Sequence, residues 1–155
     1  MDYPAPLVVA PGDGSVIEAG GVAHLFRLTG EQTAGSISVE EFHLEGGELG
    51  ARPHVHRSHD EIFCVLDGEL TFHTGSAEVV VAAGGIVAAT RGRAHGFRNA
   101  GTTPARALCL YTPGGYENFF RDVHAAVAGG AEFSPELMAE VRARYDSFTL
   151  PLDAG

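Results

Sequence analysis

The sequence predicts a mainly β fold, a sandwich or barrel, followed by two helices. Between residues 15 and 112, short apolar segments rich in β-branched and aromatic residues recur at close intervals. Glycine-bearing turns separate them, with no helical stretch between. After residue 116 the apolar spacing changes to that of amphipathic helices. In order, strands are expected at 22–29, 36–44, 61–66, 69–73, 78–82, 86–89, 95–99 and 106–111. The Asp67-Gly68 pair has the chemistry of a two-residue hairpin between the third and fourth of these. Gly46-Gly47, Gly75 and Gly84-Gly85 mark further turns. Helices are expected at 117–127 and 135–145, separated by Gly129-Gly130, with Ser134 and Pro135 as cap and first-turn residue of the second. Phe119, Phe120 and Val123 share one helical face, and Leu137, Met138 and Val141 another. Both helices are expected to pack on the outside of the barrel rather than to act as a substrate lid. The 155 residues suit a single domain, with a barrel core at about 15–112 and a helical segment at about 116–146. There is no linker long enough for a second domain, and no repeat.

Composition narrows the chemistry. All ten basic residues are arginine and none is lysine. Lysine Schiff-base chemistry and a P-loop are therefore excluded. A net charge of −10 argues against a nucleic-acid groove and against an anionic membrane surface as partner. No run approaches the ~18 apolar residues of a membrane span. The start MDYPAPLVVAPGDG lacks the basic opening of a signal peptide, so a soluble cytoplasmic protein is expected. Cys64 and Cys109 lie in apolar runs and read as buried free thiols.

The residues that carry chemistry are His54, His56, Glu61 and His95. Strand residues two apart point the same way, so His54 and His56 present both imidazoles to one side. Arg57-Ser58-His59-Asp60 can turn the chain, with Glu61 opening an adjacent antiparallel strand, and His95 arrives from a later one. Three imidazoles and a carboxylate suit one divalent transition metal, with positions left for water or substrate. Fe(II), Mn(II), Co(II), Ni(II) and Zn(II) all accept this set. Alternation places Phe63 and Val65 on the face of Glu61, and Phe97 and Asn99 on that of His95. The metal would then sit at one end of an apolar cavity, suited to a flat apolar or aromatic organic substrate. Tyr111 and Tyr116 near the mouth are further candidates for the pocket, with rim packing the plainer reading. His59 reads as an exposed loop residue and His73 as surface, with His24 and His43 undecided. Arg91, Arg93 and Arg98 flank His95, but alternation and turn placement speak against an anion clamp.

These residues resemble the two motifs of the cupin superfamily. His54-Val55-His56, four residues, Glu61, six residues and Gly68 follow the first motif. Gly84, five residues, Thr90-Arg91-Gly92, two residues, His95, three residues and Asn99 follow the second. Thr90 replaces the usual proline, and the leading glycine of the first motif is out of register, with Glu48 in its place between Gly47 and Gly50. With TPGGYENFF after the last strand, the chain looks like the small single-domain cupins related to bacterial quercetin dioxygenases. That resemblance implies a double-stranded jelly-roll β-barrel, a homodimer, and a metal-dependent dioxygenase acting with O2 on a flavonol-like, phenolic or enolic molecule. Glu61 would then be both ligand and catalytic base. A cyclase, isomerase or dehydratase is the alternative, with the metal as Lewis acid or with Glu61 and His95 as acid and base. A non-catalytic binding module is the third.

Overall fold

The computed structural model describes residues 2–151; residues 1 and 152–155 of the expected domain lie outside the described residues. Ten strands come first: β1 (Ser15–Ala19), β2 (Val22–Leu28), β3 (Ser38–Leu44), β4 (Leu49–His56), β5 (Asp60–Asp67), β6 (Glu69–His73), β7 (Glu78–Ala82), β8 (Ile86–Ala89), β9 (His95–Arg98) and β10 (Ala105–Thr112). They are followed by α1 (Glu117–Ala128), α2 (Pro135–Arg144) and β11 (Ser147–Thr149). The strands form two antiparallel sheets, ordered β1-β2-β3-β10-β5-β8 and β11-β4-β9-β6-β7. The two sheets face each other as a jelly roll, and their inner faces carry the core. β10 alternates strictly, burying Ala105, Ala107, Cys109 and Tyr111. β5 does the same with Glu61, Phe63 and Val65. Cys64 is half-buried and Cys109 buried, both as free thiols. No helix among the described residues is long and apolar enough to cross a membrane.

Sequence patterning located most of these strands but misread two connections. Asp67-Gly68 does not join a hairpin, because β5 pairs with β8 and β10 while β6 pairs with β7 and β9. The turn instead carries the chain from one sheet to the other. Gly68 takes φ +68, and a Cβ there would meet Pro104 O at 2.7 Å, so the crossover needs glycine for both reasons. Likewise β4 and β5 are not sheet neighbours: β4 pairs with β9 and β11. Residues 57–59 pass between the sheets, and Glu61 meets the histidine pair across the barrel. β1 and the three-residue β11 were not among the expected strands.

The helices also depart from the expectation of simple outer packing. Phe119 and Phe120 of α1 and Met138 and Arg142 of α2 line the internal cavity, so the helical segment forms part of its wall. The capping reading of Ser134 stands, its side chain accepting from Leu137 N. Glu117 fixes α1 to the barrel. Its carboxylate is fully buried and accepts from Gly30 N and Ser38 Oγ, both at 2.6 Å. Glu117→Ala leaves two buried donors without an acceptor, an expected cost of roughly 3 kcal/mol. In a chain of this size that is a fall of about 6–12 °C in Tm, read by circular dichroism. A change below 2 °C would refute the anchoring role.

Candidate metal centre

His54 and His56 come from β4, Glu61 from β5 and His95 from β9, and all four side chains are buried. One ligand atom from each lies within 4.8 Å of all the others. The local backbone explains the convergence. Between Ala51↔Phe97 and His54↔His95 the β4–β9 register slips by one residue. This irregularity, between Ala51 and His54, lets both residues face inward despite their odd separation. Gly50 makes room beside it, since a Cβ there would lie 2.2 Å from the Phe97 ring.

Each imidazole is backed by an acceptor at Nδ1. His54 Nδ1 donates to Arg52 O at 2.7 Å, and His95 Nδ1 to Arg93 O at 3.1 Å. His56 Nδ1 donates to Ser147 Oγ at 2.5 Å, while the Ser147 hydroxyl donates onward to Tyr145 O. With Nδ1 donating, each neutral imidazole carries its lone pair on Nε2, and every Nε2 points inward. His54 Nε2 and His56 Nε2 then stand 2.9 Å apart, and His56 Nε2 lies 2.8 Å from Glu61 Oε1. Electron pairs brought this close repel unless a cation sits among them. The donor set fits a divalent transition metal on this ground as well as on residue type. Ser147→Ala should therefore weaken metal binding by about 10–100-fold, as loss of a backing partner does. Chelator competition measures it, and an effect within twofold would contradict the tautomer argument.

The protonation pattern agrees. Burial pushes His54 down to about 3. Burial also lowers His56, outweighing the nearby Glu61 carboxylate. At His95 burial works in the same sense, but the hydrogen bond from Nε2 to Glu61 Oε2 at 3.0 Å and the carboxylate charge outweigh it and raise the pKa. Burial would raise Glu61, yet its hydrogen bonds to His56, His59 and His95 hold it well below the usual carboxylate range. Of the three clustered histidines, His95 is thus the one that holds a second proton most readily, facing a carboxylate.

His59 corrects the expectation of an exposed loop residue. It is buried, with Nε2 at 3.2 Å from Glu61 Oε1 and its ring 4.4 Å from that of Tyr116. The cause is the chain after α2, which covers the turn: Arg57 N donates to Asp146 O and Ser58 Oγ to Tyr145 O. Among the other histidines, His73 is half-buried rather than on the surface, and His43 is exposed beside Glu41. Arg91, Arg93 and Arg98 are exposed and form no clamp.

A cavity of about 190 Å³ opens beside the cluster, with His54 and Glu61 at its polar end. Phe63, Phe97, Tyr111 and Tyr116 line it, joined by Phe42, Phe119 and Phe120. Two expected pocket residues do not. Val65 is buried in the core, and Asn99 closes the β9–β10 loop by donating to Leu44 O and Thr103 O. Sequence reasoning left His24 undecided and did not single out Glu40 or Arg142. His24 lines the cavity and pairs with the buried Glu40 at 2.6 Å. Burial raises the Glu40 pKa although His24 opposes it, and Tyr111 OH donates to its second oxygen. A glutamate inside a strand carried no signal that its partner would be a histidine on the preceding strand, 16 residues earlier.

Residues 40–111 match the family of the cupin domain. The fold is the cupin jelly roll. An uncharacterized conserved protein with a double-stranded beta-helix domain from Klebsiella pneumoniae shares this cupin architecture, with 25% identity, a TM-score of 0.53, and 68% of this chain and 84% of that one covered. A cupin-superfamily sugar phosphate isomerase from Silicibacter pomeroyi is 26% identical, with a TM-score of 0.52 over 58% of each chain. A predicted oxalate decarboxylase from Thermotoga maritima superposes with a TM-score of 0.59 at 20% identity, over 69% of this chain and 99% of that one. No curated protein matches the chain.

Proposed function

We propose that the protein is a mononuclear metal-dependent cupin oxidoreductase, a dioxygenase acting on a phenolic or enolic small molecule. The observation that carries the proposal is the position of the four-ligand cluster at the polar end of an aromatic-walled cavity. His54, His56, Glu61 and His95 would hold the metal, which when bound supplies a Lewis acid for a hydroxyl oxygen and a centre able to engage O2. The residues do the rest. Phe63 and Phe97 present flat faces to a ring and keep water from it. Glu61 accepts the proton of the substrate hydroxyl. Its acidity in the metal-free cluster comes from three histidine partners. Released from the metal and from those histidine donors, it is a buried carboxylate, and burial makes a carboxylate more basic. Size also restricts the substrate. Sites for drug-sized ligands take about 300–1,000 Å³. A volume of about 190 Å³ suits one ring with short substituents better than a three-ring flavonol.

An isomerase, cyclase or dehydratase is the second reading, supported by the Silicibacter pomeroyi isomerase among the structural relatives. The aromatic wall speaks against a sugar phosphate as its substrate. The test is oxygen uptake by protein loaded in turn with Fe(II), Mn(II), Co(II) and Ni(II), against a panel of single-ring catechols, phenols and enols. The expected result is O2 consumption with incorporation of both ¹⁸O atoms into product, absent in His95→Ala. Turnover by metal-loaded protein without O2 consumption would overturn the dioxygenase reading in favour of the second.

A further inference from the structure

The cavity wall includes one arginine, Arg142 of α2, among its aromatic residues. Its Nη1 donates to Thr149 Oγ1 at 2.7 Å, and its guanidinium carbon lies 5.5 Å from the centre of the Phe119 ring. Its Nε is different. Among the described residues it is the one buried side-chain nitrogen or oxygen without a hydrogen-bond partner. A buried donor left unpaired is costly, and one on a permanent cation is more so. With Nη1 held by Thr149 and the Tyr116 hydroxyl beside the guanidinium, Nε is left unpaired on the side-on edge it forms with Nη2, and that edge matches the two oxygens of a carboxylate. No carboxylate of the described residues pairs with Arg142, although six other arginines have one.

We propose that the cavity takes a single-ring aromatic or enolic carboxylate, its acid group on the Nε–Nη2 edge of Arg142 and its hydroxyl or enol end toward His54 and Glu61. The proposal rests on the reading of the cluster as the reacting end, and narrows its ligand class. The chemistry is recognition of an anion by a fixed cation across an apolar span. Phe119 holds the guanidinium plane from one side and Thr149 one of its nitrogens, so little freedom remains to be lost on binding. The cavity's small volume agrees with a benzoate-sized ligand.

The test is calorimetric titration of the full chain with 4-hydroxybenzoate and its neutral analogue 4-hydroxybenzamide, with and without bound metal. Wild type is expected to favour the acid by about 10-fold or more in both states, as for hydrogen bonds to a charged group. Arg142→Gln should abolish the preference by lowering affinity for the acid far more than for the amide, while Arg142→Lys keeps part of it. Thr149→Val, which removes a partner of the guanidinium but not its charge, should keep the preference, and thermal unfolding checks that each variant folds. Equal affinity of wild type for both probes, binding of neither, or a preference surviving in Arg142→Gln overturns the proposal. A preference that disappears with the metal would place the carboxylate at the cluster and overturn it too. Because binding alone is read, a failed oxygen-uptake assay would sink the dioxygenase reading and leave this assignment standing.

Discussion

His54→Ala is expected to take metal content from about one ion per chain to none after dialysis, measured by elemental analysis beside wild type. The argument is geometric. His54 Nε2 stands 2.9 Å from His56 Nε2, so the two imidazoles act as a clamp, and removing one leaves a bent pair of donors with Glu61 and His95 opposite. The loss should exceed the roughly 10–100-fold that a backing partner is worth. His59→Ala is the informative contrast. His59 is as buried as His54 and touches the same carboxylate, but it lies outside the four-residue cluster. It should retain the ion with affinity lowered by about 10–100-fold, because it acts on Glu61 from behind. If the two variants lost metal equally, the four-ligand assignment would be wrong. The same experiment on His43→Ala, exposed and paired only with Glu41, should show no change.

What could be read from the chain in advance follows from the range of each interaction. The H-x-H pair was legible because its alternation is local to one strand, and Phe63 shares the face of Glu61 for the same reason. Helical faces were legible too: Phe119, Phe120 and Val123 are all buried. His59 was not, because its burial is imposed by residues 145–146, which follow the second helix. Ser147 and Arg142 escaped notice likewise. Neither has a special local pattern, and their relevance arises only when β11 pairs with β4, Ser147 opposite His56. The Asp67-Gly68 turn shows a different limit. A glycine at positive φ reverses the chain whether the next strand joins the same sheet or the facing one, so turn chemistry alone does not choose the partner. The topology is set by longer-range burial, with β10 lying between β3 and β5.

Metal affinity should fall about tenfold per pH unit between pH 6.5 and 5.5, with about one proton released for each ion bound in that window. The sign follows from the individual groups. His95 has its pKa raised above the ordinary 6.5, so at pH 6.5 and below it is mostly imidazolium, and an ion must displace its proton to reach Nε2. His54, at about 3, is neutral throughout the window and contributes nothing. His56 is lowered below 6.5 by burial, so it takes up its proton at lower pH than His95. Glu61, held well below the carboxylate range, remains ionised and never competes. Titration of Ni(II) or Co(II) at pH 6.5, 6.0 and 5.5, in buffers of different ionisation enthalpy, measures both the slope and the proton count. A flat profile would mean that His95 is already neutral, and about two protons per ion would mean that His56 is charged as well. His95→Gln is the matching control, since whatever weak binding remains should lose its dependence on pH in this window. The burial that keeps His54 and His56 ready as ligands is thus offset at His95 by Glu61. The residue that would join the histidines at the metal is also the one that makes the third histidine costly to free.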